Sequence, residues 1–184
     1  KALAHRAADR FRKSEGLFIA SGILYNHESP LRPTTFVTRK ITNGAAKIKL
    51  GLSSELVLGN LDARRDWGFA GDYVEAMWKM LQIENADDFV VATGETHSVL
   101  DFVTTAFNFA GLSGQEDKYV KTDSHLLRPT EIHQLMGDPS KTSKVLDWHR
   151  SVDFESLVKE MVASDFELLC KENGLTKPDV PAFN

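Results

Sequence analysis

The chain has 184 residues, 42% of them hydrophobic and 26% charged, and carries a formal net charge of −4. This is the composition of an ordinary globular protein rather than a disordered one, and the length suits one well-cored domain or a large domain with a small partner. The acidic balance excludes a general nucleic-acid or membrane-surface binder, because phosphate backbones and anionic lipids reward a basic surface. Cys170 is the sole cysteine, so no internal disulfide can form and a cytosolic setting is expected. No uninterrupted apolar run is long enough to span a bilayer, and no signal peptide opens the chain.

In chain order, "KALAHRAADRFRKSEG" starts directly in a helical pattern, with Leu3, Ala7 and Phe11 on one face and Gly16 as the stop. It has no entry cap, as if a longer protein were entered in mid-helix. "LFIASGILY" (17–25) is a nearly continuous apolar run that predicts a strand buried on both faces of a parallel sheet. A proline-containing loop is expected over 26–34. A helix should follow, capped by Thr34 or Thr35 and burying Val37, Ile41, Ala45 and Ile48. A short strand is expected in 55–60. A helix is expected in 71–82 with Val74, Met77, Trp78 and Leu81 facing inward. Then come a strand at 88–93 and a helix at 98–111, where Ser98 and Asp101 have the spacing of a capping box. A short strand at 118–122 precedes two short helices, "PTEIHQLMG" and "DPSKTSKVLDW". The long amphipathic helix 154–173 and an aperiodic tail close the chain. Helices alternating with strands give an α/β fold.

Familiar catalytic signatures are missing. The six histidines form no HExxH pair, and there is no CxxC, GxSxG, GxGxxG or GxxxxGK[ST]. No metal site is therefore expected, and Cys170 reads as a packing residue. What stands out is a set of cations near strand ends and helix starts: Arg32, Arg39, Lys40, Arg65 and Arg128. In open α/β sheets ligands bind beyond the carboxyl ends of strands, and arginine grips phosphate with paired hydrogen bonds. Taken singly, and from spacing alone, each of these charges reads better as a solvated surface group than as a ligand contact. Arg39 and Lys40 lie about 100° apart on a helix, so at most one points at a ligand. Arg64 and Arg65 raise the same choice.

Four blocks occur in order: "SGILYNHESPLRPTTFVTRKIT", "LVLGNLDARRDWGFAGDYVEAMWKMLQ", "VVATGETHSVLDFV" and "LRPTEIHQLMGDPSKTSKVLDW". Together they resemble the GDP-mannose 4,6-dehydratases of the extended short-chain dehydrogenase/reductase family, over Lys1 to about Trp148. The resemblance implies the C-terminal half of such an enzyme. Residues 1–25 would end an NAD(P)-binding Rossmann-like domain. Residues 26–184 would form mainly a smaller α/β substrate-binding domain, with some segments returning to the first. The lysine of the family's YxxxK motif falls on Lys1. Its tyrosine, the glycine-rich cofactor loop and the active-site threonine and glutamate would lie upstream.

The implied activity converts GDP-mannose to GDP-4-keto-6-deoxymannose with NADP. The sugar is oxidised at C4, a glutamate removes the C5 proton, water leaves from C6, and the hydride returns there. Carried over residue by residue, Lys1 would be catalytic and cofactor-binding, with His27 and Arg32 also meeting NADP. Asn26, Val37, Lys40, Arg65, Arg128 and Glu131 would meet the GDP-sugar. A homodimer or homotetramer is implied. Two departures stand out: after "NHESP" one of the family's paired arginines is lost, with Leu31 beside Arg32, and Pro33 replaces a glycine, and Leu100 occupies a position where a polar residue is expected. Two other readings stay open. One is a GDP-4-keto-6-deoxyhexose reductase or epimerase, which an upstream glutamate would tell apart. The other is a non-catalytic chain that binds a GDP-sugar.

Overall fold

Helices and strands alternate through most of a computed structural model that describes residues 1–127, 130, 132–176 and 178. Helix α1 (Ala2–Glu15) ends at Gly16, whose φ of 65° is the left-handed conformation that glycine takes without a Cβ clash. Strands β1 (Ser21–Leu24) and β2 (Asn26–Glu28) lead to helix α2 (Val37–Lys49). Next come β3 (Leu56–Leu58), β4 (Arg64–Arg65), β5 (Trp67–Phe69) and helix α3 (Ala70–Met80). They are followed by β6 (Asp88–Val91), β7 (His97–Ser98) and helix α4 (Val99–Phe109). The remainder is α5 (Glu116–Tyr119), β8 (Val120–Thr122), a 3-10 turn at Ser124–Leu126, β9 (Gln134–Leu135), α6 (Ser140–Leu146) and α7 (Phe154–Asn173).

Three strand pairs are parallel: β1 with β6, β2 with β5 and β3 with β8. A fourth group places β4 between antiparallel β7 and parallel β9. Two apolar clusters hold these strands. The larger joins α2, α4 and α7 over β3 and Trp67, and includes Ile41, Phe102, Phe107, Leu157, Met161 and Phe166. The ring of Trp67 meets Phe102 edge-on at 5.2 Å and stacks on Phe154 at 6.3 Å. The smaller cluster joins α3, β6 and α6 through Tyr73, Phe89, Val91, Leu146 and Trp148. Cys170 is buried on α7, as a packing residue should be. Ser98 and Asp101 complete the expected capping box of α4.

Several sequence expectations are corrected. The run 17–25 yields only the four-residue β1, and Leu17, Phe18 and Ile23 are about half exposed. Among the described residues β6 is its one bonded neighbour, and the two central residues of the strand, Gly22 and Ile23, are exposed. Likewise α1 buries no residue. It is held by charge instead: Arg12 donates to Asp88 at 2.5 Å and to the Ile19 carbonyl at 2.9 Å.

The loop expected from residue 26 begins one strand later, because Asn26–Glu28 pairs with β5. Helix α2 starts after Phe36, with no side-chain cap from Thr34 or Thr35, since a turn closed by Phe36 N–H to the Pro33 carbonyl occupies that stretch. Within the helix expected at 129–137, of which positions 129 and 131 lie outside the described residues, Gln134–Leu135 form strand β9 instead. The carbonyls of His133 and Leu135 accept from the Arg64 and Asp66 N–H groups and satisfy the open edge of β4.

Helix α3 is rotated from its predicted phase. Val74, Trp78 and Leu81 are exposed at 62%, 60% and 64%, while Asp72, Tyr73, Ala76 and Met80 are buried. Hydrogen bonding chooses the face. Asp72 accepts from Ser151 N–H at 3.0 Å, Ser151 Oγ at 2.5 Å and Val152 N–H at 3.4 Å, and its carbonyl accepts from Trp148 Nε1 at 2.7 Å. Turning the apolar stripe inward would orphan all four donors. Asp72→Ala should therefore lower stability by about 1–3 kcal/mol through unpaired buried donors. Trp78→Ser should cost less than about 0.5 kcal/mol, as exposed substitutions do. Urea denaturation of both variants checks the phase.

Candidate functional site

A pocket of about 600 Å³ opens where the second and third strand pairs end. Its lining comes from the two ends of β2 (Asn26, Glu28), the following loop (Arg32, Thr35, Phe36) and the first turn of α2 (Val37, Thr38, Lys40). The turn after β3 (Leu58, Gly59, Asn60) and the strands carrying Arg65 and Trp67 complete most of the wall. Its size is that of a small-molecule site. Gly59 is required by close approach, since a Cβ there would lie 2.9 Å from the Leu126 carbonyl oxygen.

Three cations, Arg32, Lys40 and Arg65, face one acid, Glu28, around this space. The first turn of α2 adds its own field. It has no side-chain cap and no acidic residue, so its free N–H groups favour an anion. Arg32 is braced by stacking its guanidinium 3.6 Å above the Phe36 ring and by a 3.3 Å ion pair with Glu28. Glu28 is only 2% exposed, and burial pushes its carboxyl above the usual range. The hydroxyl of Thr38, which donates to it at 2.8 Å, and the charges of Arg32 and His27 pull the other way.

The paired basic residues divide their labour. On β4 successive side chains point to opposite sides. Arg65 lines the pocket and donates to the Arg64 and Ile132 carbonyls at 2.8 Å, whereas Arg64 turns to the Thr96 carbonyl and Asp101. On α2, Lys40 lines the pocket while Arg39 is buried against Asp165. Asn26, Arg32, Val37, Lys40 and Arg65 thus come together.

His27 does not line the pocket. Its Nδ1 donates to the Tyr25 carbonyl at 2.8 Å, which leaves Nε2 as the free ring nitrogen, and its ring lies 5.0 Å from that of Tyr73. Lys1 is exposed at the start of α1, also away from the pocket. Arg128 and Glu131 lie outside the described residues. Sequence reasoning missed Glu28, Thr38, Asn60 and Trp67. Their only sequence signal is position: next to a histidine, in a helix's first turn, after a strand, and beside a charged pair. Among the described residues no three His, Cys, Asp or Glu side chains gather as metal ligands. No helix of the described residues is long and apolar enough to cross a membrane.

The architecture matches solved structures of larger proteins. RMD from Pseudomonas aeruginosa, solved with NADPH, superposes with a TM-score of 0.80 at 18% identity, over 90% of this chain and 54% of that one. UDP-glucose 4-epimerase from Thermotoga maritima gives 0.77 at 18% identity, over 92% and 52%. The chain thus has the α/β fold of these two structures, over about half of their length.

Sequence narrows the class. The family described as GDP-mannose 4,6 dehydratase matches residues 1–161. GDP-mannose 4,6 dehydratase 2 of Arabidopsis thaliana is 52% identical over 175 residues, covering 95% of this chain and 46% of that protein. The human GDP-mannose 4,6 dehydratase is 46% identical over 184 residues, covering 92% and 50%. The chain belongs to the GDP-mannose 4,6-dehydratase family, and it spans about half the length of the curated relatives it matches.

The raised Glu28 carboxyl makes a pH prediction. Between its ordinary value of 4.5 and its raised folded value, the folded state binds more protons than the unfolded one. Stability contributed at this position therefore falls as pH rises through that window. Glu28→Gln removes the dependence. Its stability relative to wild type should increase from pH 4 to pH 7, measured by urea denaturation at each pH.

Proposed function

We propose that this chain supplies the GDP-mannose-binding part of an NADP-dependent GDP-mannose 4,6-dehydratase. Its product would be GDP-4-keto-6-deoxymannose, a precursor of GDP-fucose and related deoxysugars. The observation that carries the reading is the convergence of Arg32, Lys40 and Arg65 with the uncapped first turn of α2 around one pocket, in a chain of this family. A diphosphate needs cations of this kind, and the half-apolar wall of Val37, Leu58, Trp67 and Val99 offers flat surface to a base and ribose.

Within this reading Lys40 and Arg65 hold the diphosphate and Asn26 hydrogen-bonds the sugar. Val37 packs on the ligand, and Arg128 and Glu131 meet the nucleotide. NADP, when bound, supplies the hydride exchange that oxidises C4 and later reduces C6. The residues of this chain suit a share of that site. His27 has its tautomer set by the Tyr25 carbonyl and keeps Nε2 free to accept from a ribose hydroxyl or an amide. Arg32, on the loop after β2, adds a cation that meets NADP and, through the pocket it lines, the GDP-sugar as well, and Lys1 supplies an ammonium that holds the nicotinamide ribose. Beside a tyrosine hydroxyl, the Lys1 charge would favour the phenolate and so help proton transfer at the sugar O4.

We assign residues 1–25, together with α3, β6 and α6, to the Rossmann-like part, because β6 pairs with β1 and these elements share the smaller cluster. The remainder forms the substrate part. A cytoplasmic homodimer or homotetramer fits the single buried cysteine and the broad apolar exposure along α1, β1 and α3.

Calorimetric titration with GDP-mannose tests the reading. Wild type should bind GDP-mannose and GDP, and Arg65→Ala should weaken GDP by about tenfold, the value of one charge-assisted phosphate contact. Lys40→Ala should behave alike, and both losses should shrink at high salt. In a protein that also carries the upstream half, turnover with NADP added should remove one water from GDP-mannose, read by mass spectrometry of the nucleotide pool. Binding of neither nucleotide overturns the assignment.

A further inference from the structure

Of the three cations around the pocket, Lys40 and Arg65 stand on regular elements, whereas Arg32 stands on the loop between Pro30 and Pro33. That loop has little apolar anchorage of its own, since Leu31 is 92% exposed. A buried arginine holds it. Arg39 is 6% exposed and donates from Nη1 to the carbonyls of Pro30 and of Arg32, the latter at 3.0 Å, so it grips the backbone on both sides of Leu31.

The same guanidinium is pinned from behind by Asp165 of α7, through Nε at 3.0 and 3.1 Å and Nη2 at 2.9 Å. Asp165 is fully buried, and its oxygens also accept from Thr42 Oγ1 at 2.7 Å and Asn43 Nδ2 at 2.9 Å. Neither Arg39 nor Asp165 lines the pocket.

We propose that Asp165 and Arg39 are positioning residues: the ion pair between α7 and α2 sets the 29–33 loop and thereby aims Arg32 into the ligand pocket. The physical reason is directional. A lone buried guanidinium is costly and would swing towards water, whereas one clamped on a fixed carboxylate has two spare N–H donors with a set direction. Those donors meet the loop carbonyls and leave Arg32 only its side-chain freedom, which Phe36 and Glu28 then restrict. Helix α7 thus acts on the pocket without touching it. The role in ligand binding rests on the reading of the pocket as a GDP-sugar site; the setting of the loop does not.

Amide hydrogen exchange on Asp165→Asn tests the setting of the loop without any ligand. The Arg32 N–H, bonded to the Ser29 carbonyl, and the Phe36 N–H, bonded to the Pro33 carbonyl, should exchange about tenfold faster or more, as in a local opening. Amides of Phe102 to Phe107 in α4 should keep their wild-type rates. Unchanged rates in the loop overturn the proposal, and so does equal acceleration in α4, which would mark mere loss of stability. Should Asp165→Asn fail to fold, Arg39→Lys keeps a cation beside Asp165 but lacks the further nitrogen that meets both loop carbonyls, and the same local acceleration is expected.

Titration of GDP into the double-mutant cycle supplies the second readout. Arg32→Ala should weaken GDP in the wild-type background and by at least about threefold less in the Asp165→Asn background, because residues acting as a unit are non-additive. Strict additivity overturns the link to Arg32. If wild type binds no GDP, the functional reading falls, and the exchange rates alone decide whether the pair sets the loop.

Discussion

The buried contact between Arg39 and Asp165 is the constraint on which this structure turns. It joins α2 to α7, two of the three helices that build the larger core, and it does so inside apolar surroundings where an unpaired charge would be very costly. Because Arg39 and Asp165 must meet, α2 has one possible rotation. That rotation sends Lys40, the next residue, into the pocket, and leaves Ile41, Ala45 and Ile48 in the core. One polar pair thus sets the helix phase, the position of a ligand-facing cation and the course of the loop before the helix. Replacing both partners by apolar groups of similar size could keep the core. It would lose the directional bonds to the loop.

The pocket shows how an acidic chain makes a local anion site. The net charge of −4 says nothing about it, since charges beyond a Debye length of about 8 Å are screened at physiological salt. What matters is the near field: three cations, the free N–H groups of a helix start and a single carboxylate. That carboxylate, Glu28, is taken up by Thr38 and Arg32, and burial favours its neutral form. Its main effect is to hold Arg32 in place rather than to oppose the anion.

Much of the architecture was legible in the sequence because local chemistry dictates it. Helix α7 follows from unbroken periodicity between an aspartate cap and a glycine stop, and α4 from a capping box. Other elements were hidden for physical reasons. Strand β9 has only two residues and exists because β4 has an edge to satisfy. Helix α3 carries a strong apolar stripe, yet buries the opposite face, because Asp72 must answer three donors from a loop almost eighty positions away. Hydrophobic patterning cannot register a hydrogen bond made over that separation.

The sequence by itself determined the α/β alternation, the family and the roster of cations near strand ends, because these depend on residue type and spacing. Tertiary structure alone decided which member of each basic pair serves the pocket. Arg65 faces it and Arg64 does not, since β4 is fixed between β7 and β9 and its side chains must alternate. Lys40 faces it and Arg39 does not, since Asp165 lies 126 positions away in the chain and within 3.1 Å in space. A buried charge goes where its partner is, and only the folded chain says where that is.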